Sequence, residues 1–167
     1  RAVMDADIVI SLNHFKGHEA TGFGGAISTR REAGNANAYI YINVDGSTFN
    51  GNRATSAGNG GWRGGGAVWV SGCAWADFTA NTFTGNYSAH FGGAIATNND
   101  NVYQGRVITL GVLREDGTPD PDKANTFTNN SANSWGGAIS TGASGSGDNT
   151  NGIYTVSYTH LRAHETR

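Results

Sequence analysis

One recurring pattern limits the folds available to this chain. Residues 81–97 read NTFTGNYSAHFGGAIAT, and residues 125–141 read NTFTNNSANSWGGAIST. A related copy spans residues 12–29, and in all three copies a phenylalanine precedes a Gly-Gly pair by nine residues. A fourth copy has Phe49 sixteen residues before Gly65, with about seven inserted residues around 58–64. We number the copies one to four in chain order, so that they contain Phe15, Phe49, Phe83 and Phe127 respectively. Self-similarity of this kind is typical of solenoid proteins.

A run of strand-forming residues precedes each phenylalanine. The runs are IVISL at 8–12, YIYINV at 39–44, AWADF at 74–78 and VITLGVL at 107–113, and a fifth begins at 153–155. Turn residues separate them from the Phe-x-x-Asn and Gly-Gly-Ala-Ile segments, so each copy reads as three short strands. The phenylalanines are spaced by 34, 34 and 44 residues. We therefore predict an all-β right-handed parallel β-helix (solenoid) of about four coils of three short strands, open at both ends.

The composition favours strands and excludes several other classes. The chain has 26 glycines and only four leucines, and it is rich in Asn and Thr, which form helices poorly. Its net charge of -2 is too small for a disordered polyelectrolyte and indicates no basic surface for nucleic acid. No stretch approaches 18 apolar residues, so no membrane-spanning helix is predicted. Cys73, the single cysteine, excludes an internal disulfide framework.

Stacking of the copies assigns a structural role to each position of the motif. We expect one inward column of aromatic rings, formed by Phe15, Phe49, Phe83 and Phe127, with about 1.5–3 kcal/mol of stabilisation per buried ring. Three residues after each phenylalanine, stacked side-chain amides should satisfy backbone groups at a turn; these are the amides of Asn52, Asn86 and Asn130. Copy one has His18 in this position. Tight corners with positive φ should be made by the Gly-Gly pairs, namely Gly24, Gly25, Gly65, Gly66, Gly92, Gly93, Gly136 and Gly137.

Alternation along the Gly-Gly-Ala-Ile strand predicts which of its side chains face the core. We expect the larger residues to point inward, namely Ile27, Val68, Ile95 and Ile139. The small residues before them should then lie on the opposite face, namely Ala26, Ala67, Ala94 and Ala138.

The chain ends carry a different signal. The chain opens on Arg1 without a recognisable signal peptide, so we expect it to lack its natural start. Residues 156–166 read VSYTHLRAHET, which resembles a translated frame of a sequencing adapter. Such residues are excluded from fold reasoning, so we divide the chain into a β-helix repeat segment at 1–155 and a non-native tail at 156–167.

The alternation of Phe-x-x-Asn with Gly-Gly-Ala-Ile resembles the repeat of chlamydial polymorphic membrane proteins. The resemblance covers about residues 8–155. It implies a bacterial, autotransporter-like passenger that is secreted or displayed at the cell surface in association with the outer membrane. It also implies an adhesive role, with no catalytic residues to carry over.

An enzyme is the alternative, because the β-helix scaffold also carries polysaccharide lyases and glycoside hydrolases. Hydrolysis needs two carboxylates that face each other across a cleft. Asp45 and Asp77 are the acids nearest to a strand, and no acid recurs in register on a strand face. We therefore predict no catalytic, cofactor-binding or metal-binding residue, and no cofactor. In the alternative, a carbohydrate-active enzyme, the catalytic coils lie outside this chain.

Loops inserted between strands are the expected contact surfaces, because solenoids accept insertions without disturbing the stack. Trp62 and Arg63 are candidate contact residues in the glycine-rich stretch 60–66, although an alternative role for Trp62 is to cap the core. The expected partners are a protein or glycan of a host cell, a neighbouring cell or a matrix, and further coils of the same chain. The candidate loops are 30–38, 52–64, 98–105, 115–123 and 143–151.

Overall fold

The computed structural model describes residues 15–16, 19–20, 25–29, 40–55, 64–71, 74–98, 106–142, 152–155 and 158–165. Within these ranges the chain is all-β apart from one 3-10 turn at Pro121–Lys123, and no helix there is long and apolar enough to cross a membrane. The strands are β1 Phe15–Lys16, β2 Glu19–Ala20, β3 Ile27–Ser28, β4 Ile40–Asp45, β5 Thr48–Asn50, β6 Arg53–Ala54, β7 Val68–Ser71, β8 Ala74–Thr79, β9 Thr82–Thr84, β10 Tyr87–Ser88, β11 Ile95–Asn98, β12 Arg106–Leu110, β13 Asn125–Ala132, β14 Ile139–Gly142, β15 Gly152–Thr155 and β16 Tyr158–Glu165.

These strands form three sheets in which every strand pairing is parallel. Sheet A has the order β1-β5-β9-β13-β10-β6-β2, with β16 also on β13; sheet B is β14-β11-β7-β3; sheet C is β15-β12-β8-β4. From β4 onward the chain visits sheets C, A and B in that order, copy after copy. Equivalent residues therefore lie side by side, as Phe49 pairs with Phe83 and Phe83 with Phe127.

The core is built around stacked phenylalanines. Phe49, Phe83 and Phe127 are fully buried, and successive ring centroids lie 4.7 and 4.8 Å apart with nearly parallel planes. Phe78 meets Phe83 edge-on at 5.9 Å. The backbone of Phe15 pairs with that of Phe49, while its side chain lies outside the described residues. Ring separations close to the spacing of paired strands let each Phe contact its neighbours along its whole face.

A ladder of buried amides runs beside the rings. The Asn86 Oδ1 accepts hydrogen bonds from the Asn52 main-chain N–H at 3.0 Å and from the Asn52 amide at 2.9 Å. Asn86 donates in the same way to the Asn130 Oδ1, and its amide also donates to the Phe49 carbonyl. The Asn52 Oδ1, also buried, has no such donor. The ladder's next slot, aligned with His18, lies outside the described residues.

A second amide ladder, which the sequence reading missed, lies at the corner between sheets C and A. The Asn125 Oδ1 accepts from the Asn81 main chain and amide, each at 3.0 Å, and the Asn81 Oδ1 accepts from the Ser47 N–H at 2.9 Å. Its signal was the string NTF, which occurs at 81–83 and again at 125–127. Copy two has Ser47 in that position, which hides the recurrence.

Copies two to four each turn once more than predicted. Gly51, Gly85 and Asn129 have φ of 66°, 61° and 55°, so the Phe-x-x-Asn segment bends just before its asparagine. A fourth short strand follows in copies one to three, namely β2, β6 and β10, and copy four runs through the same bend as the long β13. The prediction of three strands per coil therefore undercounts them.

The two glycines of each pair serve different purposes. The first has positive φ in copies two to four, at Gly65, Gly92 and Gly136. The second approaches the next copy so closely that a Cβ on Gly66 would meet the Gly93 carbonyl oxygen well inside contact distance. Positive φ is therefore a property of the first glycine of the pair, and close approach to the next copy is what requires the second to be glycine.

The alternation predicted for the alanines is wrong. Ala67, Ala94 and Ala138 are buried in the same core cluster as Val68 and Ile95. The Ala94 carbonyl accepts from both the Ala67 and Val68 N–H groups at 2.9 Å, so Ala67 and the first residue of β7, Val68, both turn toward the core. Strict alternation starts only within the strand, where one residue pairs with one partner.

The backbone of β16 lies against β13, and the pairing has two register irregularities. Ala163 pairs with Asn130 and Tyr158 with Asn125, so neither amide ladder continues into residues 158–165. A non-native tail is expected to leave the repeating pattern, whereas the β16 backbone pairs with β13. The boundary at residue 155 stays a prediction.

Replacing Asn129 with glycine is expected to stabilise the fold by up to about 1 kcal/mol. Asn129 is exposed with φ of 55°, where copies two and three have glycine, and a side chain in this region is strained by about 1–2 kcal/mol. Urea unfolding of Asn129→Gly measures the gain. Asn133→Gly is the control, since Asn133 is exposed without positive φ and should lose about 0.5–1 kcal/mol. Equal losses in both variants would contradict the prediction.

Candidate binding groove on sheet C

An open groove of about 580 Å³ lies on the outer face of sheet C. Its floor consists of side chains from three neighbouring strands, and its wall and end come from the segment after β12. The floor residues are Tyr41, Asn43, Asp45, Asp77, Thr79 and Thr109. The wall and end residues are Gly111, Val112, Leu113 and Lys123. The inward residues of the same strands, such as Ile42 and Phe78, belong to the core. Because side chains alternate between the two faces of a strand, the polar residues between them point into the groove.

The groove wall is an insertion in copy four. Leu110 pairs with Phe78, and the Ala80 N–H bonds to the Lys123 carbonyl, so Lys123 follows Leu110 in the stack as Thr79 follows Phe78. Residues 111–122 are therefore additional. They fold on themselves through a bridge between Leu113 and Pro119 and an ion pair between Arg114 and Asp120 at 3.5 Å. The insertion is a structured wall, whose Val112 and Leu113 are 38% and 47% exposed.

Three polar contacts hold the floor in place. The Tyr41 hydroxyl donates to the Asp77 Oδ2 at 2.8 Å, and the Thr79 hydroxyl donates to the Asp45 Oδ1 at 2.7 Å. The Lys123 Nζ lies 3.3 Å from the Asp45 Oδ2. Donation to Asp77 raises the pKa of Tyr41. The hydrogen bond from Thr79, followed by the contact with Lys123, lowers the pKa of Asp45, so its carboxylate stays ionised at neutral pH.

The Asp45 carboxyl is expected to titrate below its ordinary range, and Thr79→Val should raise its pKa. A lowered folded-state pKa contributes stability above the unfolded-state value, and that contribution is lost as pH falls through the folded pKa. The effect on stability is small because the group is solvent-screened. Carbon-13 NMR titration of the carboxyl measures the shift. Thr118→Val, which removes the partner of Asp116 instead, should leave Asp45 unchanged; an equal shift of Asp45 in both variants would contradict this account.

The structure brings together residues that the sequence reading treated separately. Asp45 and Asp77 lie in the same groove, but Asp45 pairs with Thr79 and Asp77 pairs with Asn43. The two acids are therefore not in register. The candidate loop 115–123 contributes Lys123. Tyr41 and Asn43 were not singled out, although their alternation with Ile42 and Val44 marks them as outward-facing. Trp62, Arg63, Gly24 and most of the other candidate loops lie outside the described residues.

One aromatic pair lies on the surface away from this groove. Phe91 and Trp135, the residues before the Gly-Gly pairs of copies three and four, stack at 5.2 Å, and Trp135 is 68% exposed. In the part of the chain that the structure describes, no three His, Cys, Asp or Glu residues come together as metal ligands.

Comparisons with known proteins identify the repeat in two places. The sequence model of the Chlamydia polymorphic membrane protein repeat matches residues 82–98 and 126–142, the Phe-to-strand segments of copies three and four. The model of a domain of unknown function (DUF362) matches residues 1–29. Neither the curated proteins nor the solved structures gave a match. The repeat model does not match copy one, which has His18 in the Asn slot, or copy two, which has the insertion before Gly65. Copies three and four thus carry a repeat known from polymorphic membrane proteins.

Proposed function

We propose that this chain is a stretch of a right-handed parallel β-helix displayed on a bacterial surface, where it binds partners without catalysis. The observation that carries the proposal is the in-register return of equivalent residues to three parallel sheets, with an insertion confined to a corner. Parallel crossovers are right-handed almost without exception. The two repeat matches support surface display, because the matched family is named for polymorphic membrane proteins.

A binding role fits the groove better than hydrolysis. A glycosidase needs one protonated and one ionised carboxyl across the scissile bond. The contacts of Asp45 with Thr79 and Lys123 lower its pKa, which opposes a role as general acid. The structured insertion beside it resembles the loops on rigid scaffolds that usually carry binding function.

Adhesion of the purified chain tests this proposal. Beads coated with the 167-residue chain are expected to bind epithelial cells, bacterial cells or extracellular matrix in larger numbers than albumin-coated beads do. The matched variant deletes residues 111–122, which joins Leu110 to Lys123 as Phe78 is joined to Thr79. It should keep its β-sheet circular dichroism and lose most of the binding.

Two results would overturn the proposal. One is the absence of binding to all three targets. The other is release of reducing ends or unsaturated uronates from a polysaccharide panel, which would favour a carbohydrate-active enzyme.

A further inference from the structure

The groove on sheet C combines an exposed aromatic ring with convergent polar groups. Tyr41 is 61% exposed, and its hydroxyl is held by Asp77, so its ring presents a fixed face to solvent. Asp45 lies further along the same floor with 55% of its side chain exposed, and Lys123 lies at the end of the groove with 42% exposed. Val112 and Leu113 add apolar surface at the wall. A largely preformed cleft with some apolar surface and a few oriented polar groups is typical of small-ligand sites.

From this geometry we propose that the groove binds a neutral oligosaccharide. A pyranose ring has an apolar face of C–H groups, which packs on an aromatic side chain, and an edge of hydroxyl groups that both donate and accept hydrogen bonds. Tyr41 supplies the ring, the carboxylates of Asp45 and Asp77 accept, and Lys123 donates. The inference deepens the proposed binding function, on which it rests, by naming the ligand class of this groove.

Charge and topology argue against the competing ligands. The two aspartates outnumber Lys123 in the groove, which disfavours acidic polysaccharides. An extended peptide is usually recognised by adding a strand to a free sheet edge. The floor is instead a sheet face, because β8 is already paired with β4 on one side and β12 on the other. Recognition therefore falls to side chains, which match hydroxyl groups better than a peptide backbone.

The size of the groove fits a short saccharide. Its volume of about 580 Å³ lies within the range of roughly 300–1,000 Å³ found for small-molecule sites. The floor crosses three strands spaced by about 4.8 Å, so it extends over about 10 Å, or about two sugar rings.

Titration with defined oligosaccharides tests the inference. Cellotetraose, maltotetraose and chitotetraose are each added to the purified chain and followed by calorimetry and by NMR amide shifts. We expect at least one to bind, with shifts in β4 and β8. Tyr41→Ala should weaken binding about tenfold or more, and Tyr41→Phe, which keeps the ring, should weaken it less. The matched control is Trp135→Ala, which removes an exposed aromatic outside the groove and should leave binding unchanged. Circular dichroism verifies that each variant folds.

Several outcomes would overturn the inference. These are failure of all three sugars to bind, binding that depends on Trp135 instead of Tyr41, or preferential, salt-sensitive binding of oligo-lysine, which would indicate a basic peptide ligand. The bead assay separates this inference from the adhesive function. Cell binding without sugar binding would remove the glycan inference alone, whereas sugar binding at Tyr41 without cell binding would remove the adhesive function alone.

Discussion

Gly93→Ala is expected to destabilise the chain by about 3 kcal/mol or more, or to prevent folding. A Cβ at Gly93 would lie well inside contact distance of the Gly137 carbonyl oxygen and of the Ser131 backbone. These atoms belong to the next copy, and the Gly93 N–H is itself bonded to the Gly136 carbonyl at 3.1 Å. Because the obstructing atoms are backbone, no rotamer change relieves the clash, and the stacked copies must move apart.

Gly85→Ala is the matched control for this effect. Gly85 has φ of 61°, but nothing lies within 4 Å of the position its Cβ would take. Only backbone strain applies there, so the loss should be about 1–2 kcal/mol. Urea unfolding monitored by circular dichroism compares the two variants. If Gly85→Ala lost as much stability as Gly93→Ala, the close approach of copies would not be the cause.

Asn86→Ala is expected to lose about 3 kcal/mol or more. Asn86 is fully buried, and its side chain accepts from the Asn52 main chain and amide while donating to the Phe49 carbonyl. Truncation leaves the buried donors of Asn52 without their acceptor, and each unsatisfied group costs about 1–3 kcal/mol. Because the ladder ties copy two to copy three, hydrogen exchange at the Asn52 amide should also accelerate strongly.

Asn50→Ala removes the same chemical group two residues from Asn52, at an exposed position. It should change stability by no more than about 0.5 kcal/mol. A small effect in both variants would mean that the ladder contributes little, and a large effect in both would indicate that truncating an asparagine is costly regardless of burial.

Much of the repeat was predictable because each copy pairs with a near-identical copy. Phe49, Phe83 and Phe127 occupy one position of the motif, and parallel in-register stacking brings such residues together whatever the loops do. The second amide ladder escaped notice because Ser47 replaces its asparagine in copy two. The alanines were misassigned because alternation was extended past the end of the strand, where the Ala94 carbonyl accepts two N–H groups.

The groove was beyond prediction for a different physical reason. Tyr41 and Asp77 are 36 residues apart, and Lys123 contacts Asp45 across 78 residues. Asp45 pairs with Thr79 and Asp77 with Asn43, so even the two aspartates occupy different positions of the repeat and no periodicity links the four residues. The pairing of β4 with β8 sets the floor, whereas the wall depends on the direction in which residues 111–122 fold from the corner, which local contacts within the insertion decide.

By itself, the sequence determined the all-β class and the stacking partners of the motif residues, because copies of one motif imply their own pairing. The 44-residue spacing also indicated additional residues between Phe83 and Phe127. Only the tertiary structure decided that the two glycines of each pair have different roles, and that the insertion forms a wall over the outer face of sheet C. Backbone close approach and side-chain contacts between unlike residues depend on three-dimensional distance, which a linear repeat does not contain.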